Sequence, residues 1–104
     1  AYINSAPDKR YWQTESADPE SPDSPTNAPI AAKTAARIMG DFNHSVNTWM
    51  YFHGVLTKNF NDSTAGVTIG IYDPNLKQAR LHLKHAYMKQ LMQTFERGGT
   101  FYRC

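Results

Sequence analysis

The sequence predicts an all-α fold, in which two helices form an antiparallel hairpin behind an extended N-terminal arm. Two stretches of the 104-residue chain place apolar side chains at steps of three or four, which keeps them on one face of a helix. The first 28 residues contain four of the six prolines, which disfavours regular structure there. We therefore expect an extended, proline-rich and acidic arm at residues 1–28 and a helical domain at residues 29–104, with helices at about 29–58 and 74–97.

The arm is expected to be extended because Asp-Pro and Ser-Pro pairs follow one another closely. Proline has no amide donor and restricts the residue before it, so Pro19, Pro22 and Pro25 exclude a helix or a central strand. Two short apolar clusters, Tyr2-Ile3 and Tyr11-Trp12, interrupt the polar sequence. We expect them to pack on the body of the domain or on a partner.

The first helix is predicted from a start signal and a long apolar stripe. Asn27 is placed to cap the helix, and Pro29 lies in the first turn, where its missing amide proton costs nothing. Gly54 is placed to end the main part of the helix. The stripe consists of Ile38, Phe42, Val46, Trp49, His53, Leu56 and Phe60.

The second helix is predicted to begin with Asp73 as its N-cap and Pro74 at its first position. Gly98 and Gly99 are placed to end it. In the connection between the helices, Val67, Ile69 and Ile71 alternate with smaller residues. That alternation is typical of a short strand, but no pairing partner is evident in an all-helical reading.

Charge and composition exclude several classes of protein. The arm carries two basic and five acidic residues, whereas residues 29–104 carry nine basic and four acidic ones. An acidic segment on a basic body is typical of self-masking or of an anionic partner. No run of apolar residues is long enough to span a membrane. A single cysteine, Cys104, rules out a disulfide within the chain. It is either a free thiol or a contact between chains in a disulfide-linked or non-covalent oligomer.

The inventory of chemical motifs argues against an enzyme. His82 and His85 lie three residues apart and could share a metal, but no further ligand is spaced to complete the shell, so we expect neither metal nor cofactor. Asp41 with His44 and His53 lacks the nucleophile and pocket that acid–base catalysis needs. No phosphate-binding loop or zinc-finger spacing is present, and the basic residues are too few to indicate nucleic acid.

A protein or glycoprotein partner is the remaining expectation. Trp49-Met50-Tyr51-Phe52 places four large side chains in succession, and on a helix they would point in all directions. The alternative is burial under the Tyr11-Trp12 cluster. The predicted partner-binding residues are Trp49, Tyr51 and Phe52 as apolar contacts, with Arg80, Lys84 and Lys89 as charge contacts.

Part of this pattern resembles the sperm lysins of abalone and related marine gastropods. The similar residues are Phe42, Trp49 and His53-Gly54 in the first predicted helix, with Ile38 before them. Lys77, Ala79 and Tyr87-Met88 are similar to a following lysin helix. The resemblance implies a secreted, all-helical acrosomal protein that binds egg-coat glycoprotein without enzymatic chemistry. This chain is shorter and less basic than lysins, which favours a paralogue that binds another gamete protein.

Three functional hypotheses follow, of which the third, a small enzyme, rests only on His44, His53, His82 and His85. The first is a secreted, non-enzymatic sperm protein of the lysin type, which binds egg-coat or gamete proteins in fertilisation. The second is a small accessory subunit of a large assembly, such as an organellar complex or a virion, because extended arms gain order from partners. A chain that begins at Ala1 fits removal of a secretory signal in the first case and of a transit peptide in the second.

Overall fold

The fold is α+β, and the all-α prediction is wrong. The computed structural model describes residues 9–18 and 21–102, which form two α-helices, five strands and one short 3₁₀ turn. Their order is β1 (Trp12–Ser16), α1 (Ala28–Asn43), β2 (Thr48–Tyr51), β3 (Val55–Thr57), the 3₁₀ turn (Ala65–Val67), β4 (Gly70–Asp73), β5 (Gln78–Leu81) and α2 (Leu83–Thr94). Tyr2, Ile3 and Cys104 lie outside the described residues.

The strands form two small sheets. In the first, β1 pairs in parallel with β2, so the arm contributes a strand to the domain. In the second, β4 is central, parallel to β3 and antiparallel to β5. The two parallel pairs need long connections. One is α1 with its flanking loops, and the other is the loop that contains the 3₁₀ turn.

Helix α1 begins where the sequence predicts and ends much earlier. The Asn27 side chain accepts a hydrogen bond from the Ile30 amide at 3.2 Å, which confirms the predicted N-cap. The helix ends at Asn43, and Ser45 then adopts a positive φ of 73°. The Val46 amide donates to the Asp41 carbonyl across this turn. The turn directs the chain into β2, so the predicted continuation of the helix to residue 58 is wrong.

The four successive large side chains of residues 49–52 are accommodated by a strand rather than a helix. A strand sends alternate side chains to opposite faces. Trp49 and Tyr51 are accordingly half-buried and hydrogen-bonded, whereas Met50 and Phe52 are exposed. The spacing of four residues between Trp49 and His53 therefore does not place them on one helix face.

Asp73-Pro74 begins a hairpin turn and not a helix. The Asp73 carboxylate accepts from the Asn75 amide at 2.9 Å and from the Phe60 amide at 3.1 Å. Lys77 closes the turn with a positive φ of 52°. Aspartate followed by proline suits both a helix start and a turn, because in both cases the carboxylate accepts from nearby amides. The second helix therefore begins only at Leu83, after β5.

The interior of the described residues contains more polar than apolar side chains. The buried apolar residues are Ala31, Ile38, Ala65 and Ile71. The buried polar residues are Ser16, Asp18, Asp23, Thr34, Thr68, Asp73, His82 and Lys84. Buried charges are costly unless they are paired and hydrogen-bonded. Pairing within this interior therefore decides how the elements are held together.

Candidate functional site

Lys84 lies at the centre of a buried ionic cluster, formed by Asp18, Asp23, Tyr51, His82 and Lys84. Its ammonium lies 2.8 Å from Asp18 Oδ2 and 3.2 Å from Asp23 Oδ2. It also donates to the Tyr51 hydroxyl at 2.9 Å and to the Gly66 carbonyl. The cluster thus joins the arm, β2, the 3₁₀ turn and α2 around one positive charge.

Asp18 is well satisfied within this cluster. Its Oδ2 accepts from Thr34 Oγ1 at 2.8 Å and from the Tyr51 hydroxyl at 3.0 Å, in addition to the ammonium. Asp18 therefore anchors the end of β1 to α1 and to α2.

His82 and Asp23 form the second half of the cluster. His82 Nδ1 lies 3.1 Å from the Thr68 carbonyl oxygen and 3.3 Å from Asp23 Oδ2. Among the described residues, neither His82 Nε2 nor Asp23 Oδ2 has a partner in hydrogen-bond geometry. Burial is the main reason that the pKa of His82 is lowered below its usual 6.5. The imidazole is therefore neutral near pH 7.

Two further groups of the cluster have shifted pKa values. Burial raises the pKa of Tyr51 above its usual 10.0, although the hydrogen bond from Lys84 opposes this. Burial alone would lower the pKa of Lys84, but the hydrogen bonds to Asp18 and Tyr51 outweigh it and raise the pKa above 10.5. Tyr51 therefore stays neutral and Lys84 stays charged. The cluster is accordingly suited to holding these elements of the fold together.

The second feature is an open apolar groove of ≈ 1020 Å³ between α1, β2, α2 and the residues that follow α2. Three phenyl rings meet there: Phe95 lies 5.4 Å from Phe42 and 6.0 Å from Phe101 between ring centroids, and both pairs are edge-to-face. The other apolar side chains of the groove are Ile38, Val46, Trp49, Met88, Leu91 and Met92.

Trp49 is held in the wall of the groove by Asp41. Its indole Nε1 donates to Asp41 Oδ2 at 2.7 Å, between β2 and the last turn of α1. The hydrogen bond satisfies the polar atom of the indole while the ring remains available to the groove. At the rim, Met92 exposes 71% of its surface. The groove therefore has fixed aromatic walls and a flexible thioether at its edge.

The six predicted partner-binding residues are not brought together. Trp49 lines the groove, and Phe52 and Lys89 are exposed elsewhere. Tyr51 and Lys84 belong to the buried cluster, so the Lys84 ammonium contacts protein groups and not the surface. Arg80 is half-buried, 4.6 Å from the Phe60 ring centroid, and donates to the Asp23 and Phe60 carbonyls.

Sequence reasoning missed Asp18 and Asp23 as partners of Lys84. Both lie in the arm, which was expected to contribute charge and apolar anchors only. The sequence shows only that the proline-rich segment contains carboxylates. It does not show which residue each carboxylate contacts. No cluster of three or more His, Cys, Asp or Glu suited to a metal ion occurs in the described part of the chain.

Comparisons with protein-family models, curated proteins and solved structures gave no match for this chain. Within residues 9–18 and 21–102, neither helix has the length and apolar character needed to cross a bilayer.

Proposed function

We propose that the chain is a non-enzymatic binding protein, which takes apolar side chains of a protein partner into the groove between α1, β2 and α2. The single observation that carries this proposal is the groove itself. Phe42, Phe95 and Phe101 bring three rings together in an open surface cleft, where aromatic area remains accessible. Aromatic and methionine side chains in such a cleft are characteristic of sites for protein partners.

The occupant that we propose is an amphipathic helix of the partner. Two helices and a strand form the walls, and the edge carries the polar side chains of Asn43, Ser45 and Asn47 with Glu96 and Arg97. An apolar floor with a polar rim fits a helix that has one apolar face. Both signs of charge occur at the rim, so the apolar anchors and not net charge would supply the affinity.

An egg-coat glycoprotein or another gamete protein is the first partner to test. The similarity of Phe42, Trp49 and His53-Gly54 to the lysin pattern supports this choice and supports a secreted, acrosomal location. The all-helical fold that the resemblance implies does not apply to this chain, because Trp49 lies in a strand. The proposal that the chain binds a protein partner therefore rests on the groove. The lysin-type role adds to it the identity of the partner.

The alternative is an accessory subunit of a larger assembly. The outer face of the β3–β4–β5 sheet favours it, because Val55, Tyr72 and Leu81 expose 55%, 40% and 46% of their surfaces there. Such a face suits permanent burial against another subunit. Sedimentation of the purified chain as a stable, folded monomer would count against this alternative.

Two methionine substitutions test the groove. Met92→Glu places a charge at the groove rim, whereas Met50→Glu places one on the exposed face of β2, outside the groove. Because burying an unpaired carboxylate is costly, we expect Met92→Glu to weaken binding of solubilised egg-coat glycoprotein at least about tenfold and Met50→Glu to leave it unchanged. Circular dichroism would verify that both variants fold.

The outcomes test two claims separately: that the partner is an egg-coat or gamete protein, and that the groove is the binding site. Absence of wild-type binding at low salt would exclude the lysin-type role. Equal affinities of the two variants for any protein that binds the chain would exclude the groove as the site.

A further inference from the structure

Two segments of the chain match the acceptor pattern for N-linked glycans, which is Asn-x-Ser with any residue but proline in the middle. They are Asn43-His44-Ser45 and Asn61-Asp62-Ser63. Short patterns of this kind often occur by chance, so the sequence does not decide between the two. Both lie among the described residues, and the fold places them in different surroundings.

Asn61 lies in an exposed loop between β3 and the 3₁₀ turn. The Asp62 amide donates to the Asn59 carbonyl at 3.0 Å, which makes Asn61 the third residue of a tight turn. Asn61 and Ser63 are both exposed. The two side chains that the acceptor pattern requires are therefore both in contact with solvent.

The shape of this loop depends on other side chains. Asp62 Oδ1 accepts from the Thr64 amide at 2.7 Å and from Thr64 Oγ1 at 2.5 Å. Lys58 Nζ donates to Thr64 Oγ1 at 2.6 Å. Neither the Asn61 nor the Ser63 side chain takes part in these hydrogen bonds. A sugar on the Asn61 amide would therefore leave the contacts that hold the loop unchanged.

Asn43 has the opposite surroundings. It is the last residue of α1, it is half-buried, and it lines the groove. The Ser45 amide donates to the Phe42 carbonyl, so the acceptor segment is part of the turn that ends the helix. A glycan is bulky and strongly hydrated, and a folded protein must keep it in water. At Asn43 the sugar would be forced against the apolar side chains of the groove.

We propose that the folded protein carries an N-linked glycan on Asn61 and none on Asn43. In the transfer, the amide nitrogen of Asn61 forms a bond to C1 of the first sugar of a lipid-linked pyrophosphate oligosaccharide. The bond between C1 and the pyrophosphate oxygen breaks, the amide loses one proton, and the lipid pyrophosphate leaves. The transferase acts on chains in the secretory route, so the proposal rests on the secreted location in the proposed function.

The glycan would lie at one end of the β3–β4–β5 sheet and outside the groove. Asn59 Oδ1 accepts from Asn75 Nδ2 at 3.1 Å, so the acceptor loop lies beside the turn between β4 and β5. The residues that line the groove belong instead to segments 38–49 and 88–101. Removal of the glycan should therefore leave binding in the groove unchanged.

Production of the full chain in an animal cell line, behind a secretory leader, tests the site. The intact mass of the folded chain should exceed that of the polypeptide by one glycan, and a peptide N-glycosidase should remove the excess. Ser63→Ala keeps Asn61 but removes the hydroxyl that the pattern requires, so it should abolish the glycan. Ser45→Ala makes the same change in the other acceptor segment and should retain the glycan. Asn61→Gln removes the acceptor amide as a second, independent variant.

Three outcomes would overturn the proposal. They are an unmodified wild-type chain, a glycan that persists in Ser63→Ala and Asn61→Gln, and a glycan that disappears in Ser45→Ala. Because the leader supplies the secretory route, an unmodified chain would exclude the site itself and not the secreted location. If such a chain still bound its partner through the groove, the proposed function would stand without the glycan.

Discussion

The Lys84 ammonium and the Asp18 carboxylate lie 2.8 Å apart, in contact across 66 positions of sequence. The pair connects the end of β1 to the first turn of α2. Both charges have left bulk water, and each relies on the other and on its hydrogen bonds. This contact joins the arm to the rest of the domain, and the integrity of the fold should depend on it.

Substituting Lys84 should destabilise the fold strongly. Lys84→Met keeps much of the side-chain volume but leaves the Asp18 and Asp23 carboxylates buried without their cation. We expect the free energy of unfolding to fall by about 3–5 kcal/mol, measured by urea denaturation. Lys89→Met, an exposed position of the same helix, is the matched control and should change it by less than about 0.5 kcal/mol.

A double variant distinguishes a lost ion pair from lost packing. Adding Asp18→Asn to Lys84→Met removes one of the carboxylates that the first change leaves uncompensated. The two changes should therefore cost less together than the sum of their separate effects. Strict additivity would show that the charges do not interact, contrary to the assignment of the cluster.

Stability should fall in alkali because of Tyr51 and Lys84. The pKa of Tyr51 is raised by burial above 10.0, and that of Lys84 is raised above 10.5 because its hydrogen bonds outweigh burial. In the pH range just above these usual values, the unfolded chain releases both protons while the folded protein retains them. The free energy of unfolding therefore decreases as pH rises past about 10.

Tyr51→Phe checks the contribution of the phenol. The variant loses hydrogen bonds and is less stable at pH 7, but its further loss of stability between pH 9 and 11 should be smaller than in the wild type. Tyr72→Phe, at an exposed tyrosine on the outer face of the sheet, is the control and should follow the wild type. The free energy of unfolding of each protein would be measured by urea denaturation at each pH. If it fell equally between pH 9 and 11 in all three proteins, the shift assigned to the pKa of Tyr51 would be contradicted.

The start of α1 could be predicted from the sequence, whereas the sheets could not. Asn27 and Pro29 are local signals, and the contact from the Asn27 side chain spans only three residues. The strands have three to five residues each, and the alternating stretch at residues 67–71 overlaps β4 by only two residues. Their pairing is also distant in sequence, as for Trp12 with Thr48. Strand identity therefore depends on tertiary context that a single sequence does not contain.

The same limit applies to the candidate site. Trp49 was expected to offer apolar surface, and it does line the groove, because a large indole favours partial burial in either a helix or a strand. Lys84 was expected to be a charge contact with a partner, as were Arg80 and Lys89. Its burial is caused by Asp18 and Asp23, and only the fold places these carboxylates next to it.

Gly70, in the central strand β4, should not tolerate a side chain. A Cβ there would lie 2.8 Å from Leu81 Cδ2 and 2.9 Å from the Arg80 carbonyl oxygen. The Leu81 side chain could move aside, but the carbonyl belongs to the paired backbone of β5 and cannot move without disturbing the β4–β5 ladder. Gly70→Ala should therefore lower the free energy of unfolding by about 1–3 kcal/mol in urea denaturation.

Gly54→Ala is the matched control for this change. Gly54 precedes β3, a Cβ there would meet no atom within 4 Å, and its φ lies outside the left-handed region. Alanine at such a position restricts the unfolded chain without straining the folded one, so we expect no loss of stability and a gain of up to about 1 kcal/mol. An equal change in the free energy of unfolding in both glycine variants would contradict the close approach of the β5 backbone to Gly70. It would also contradict the antiparallel pairing of β4 with β5.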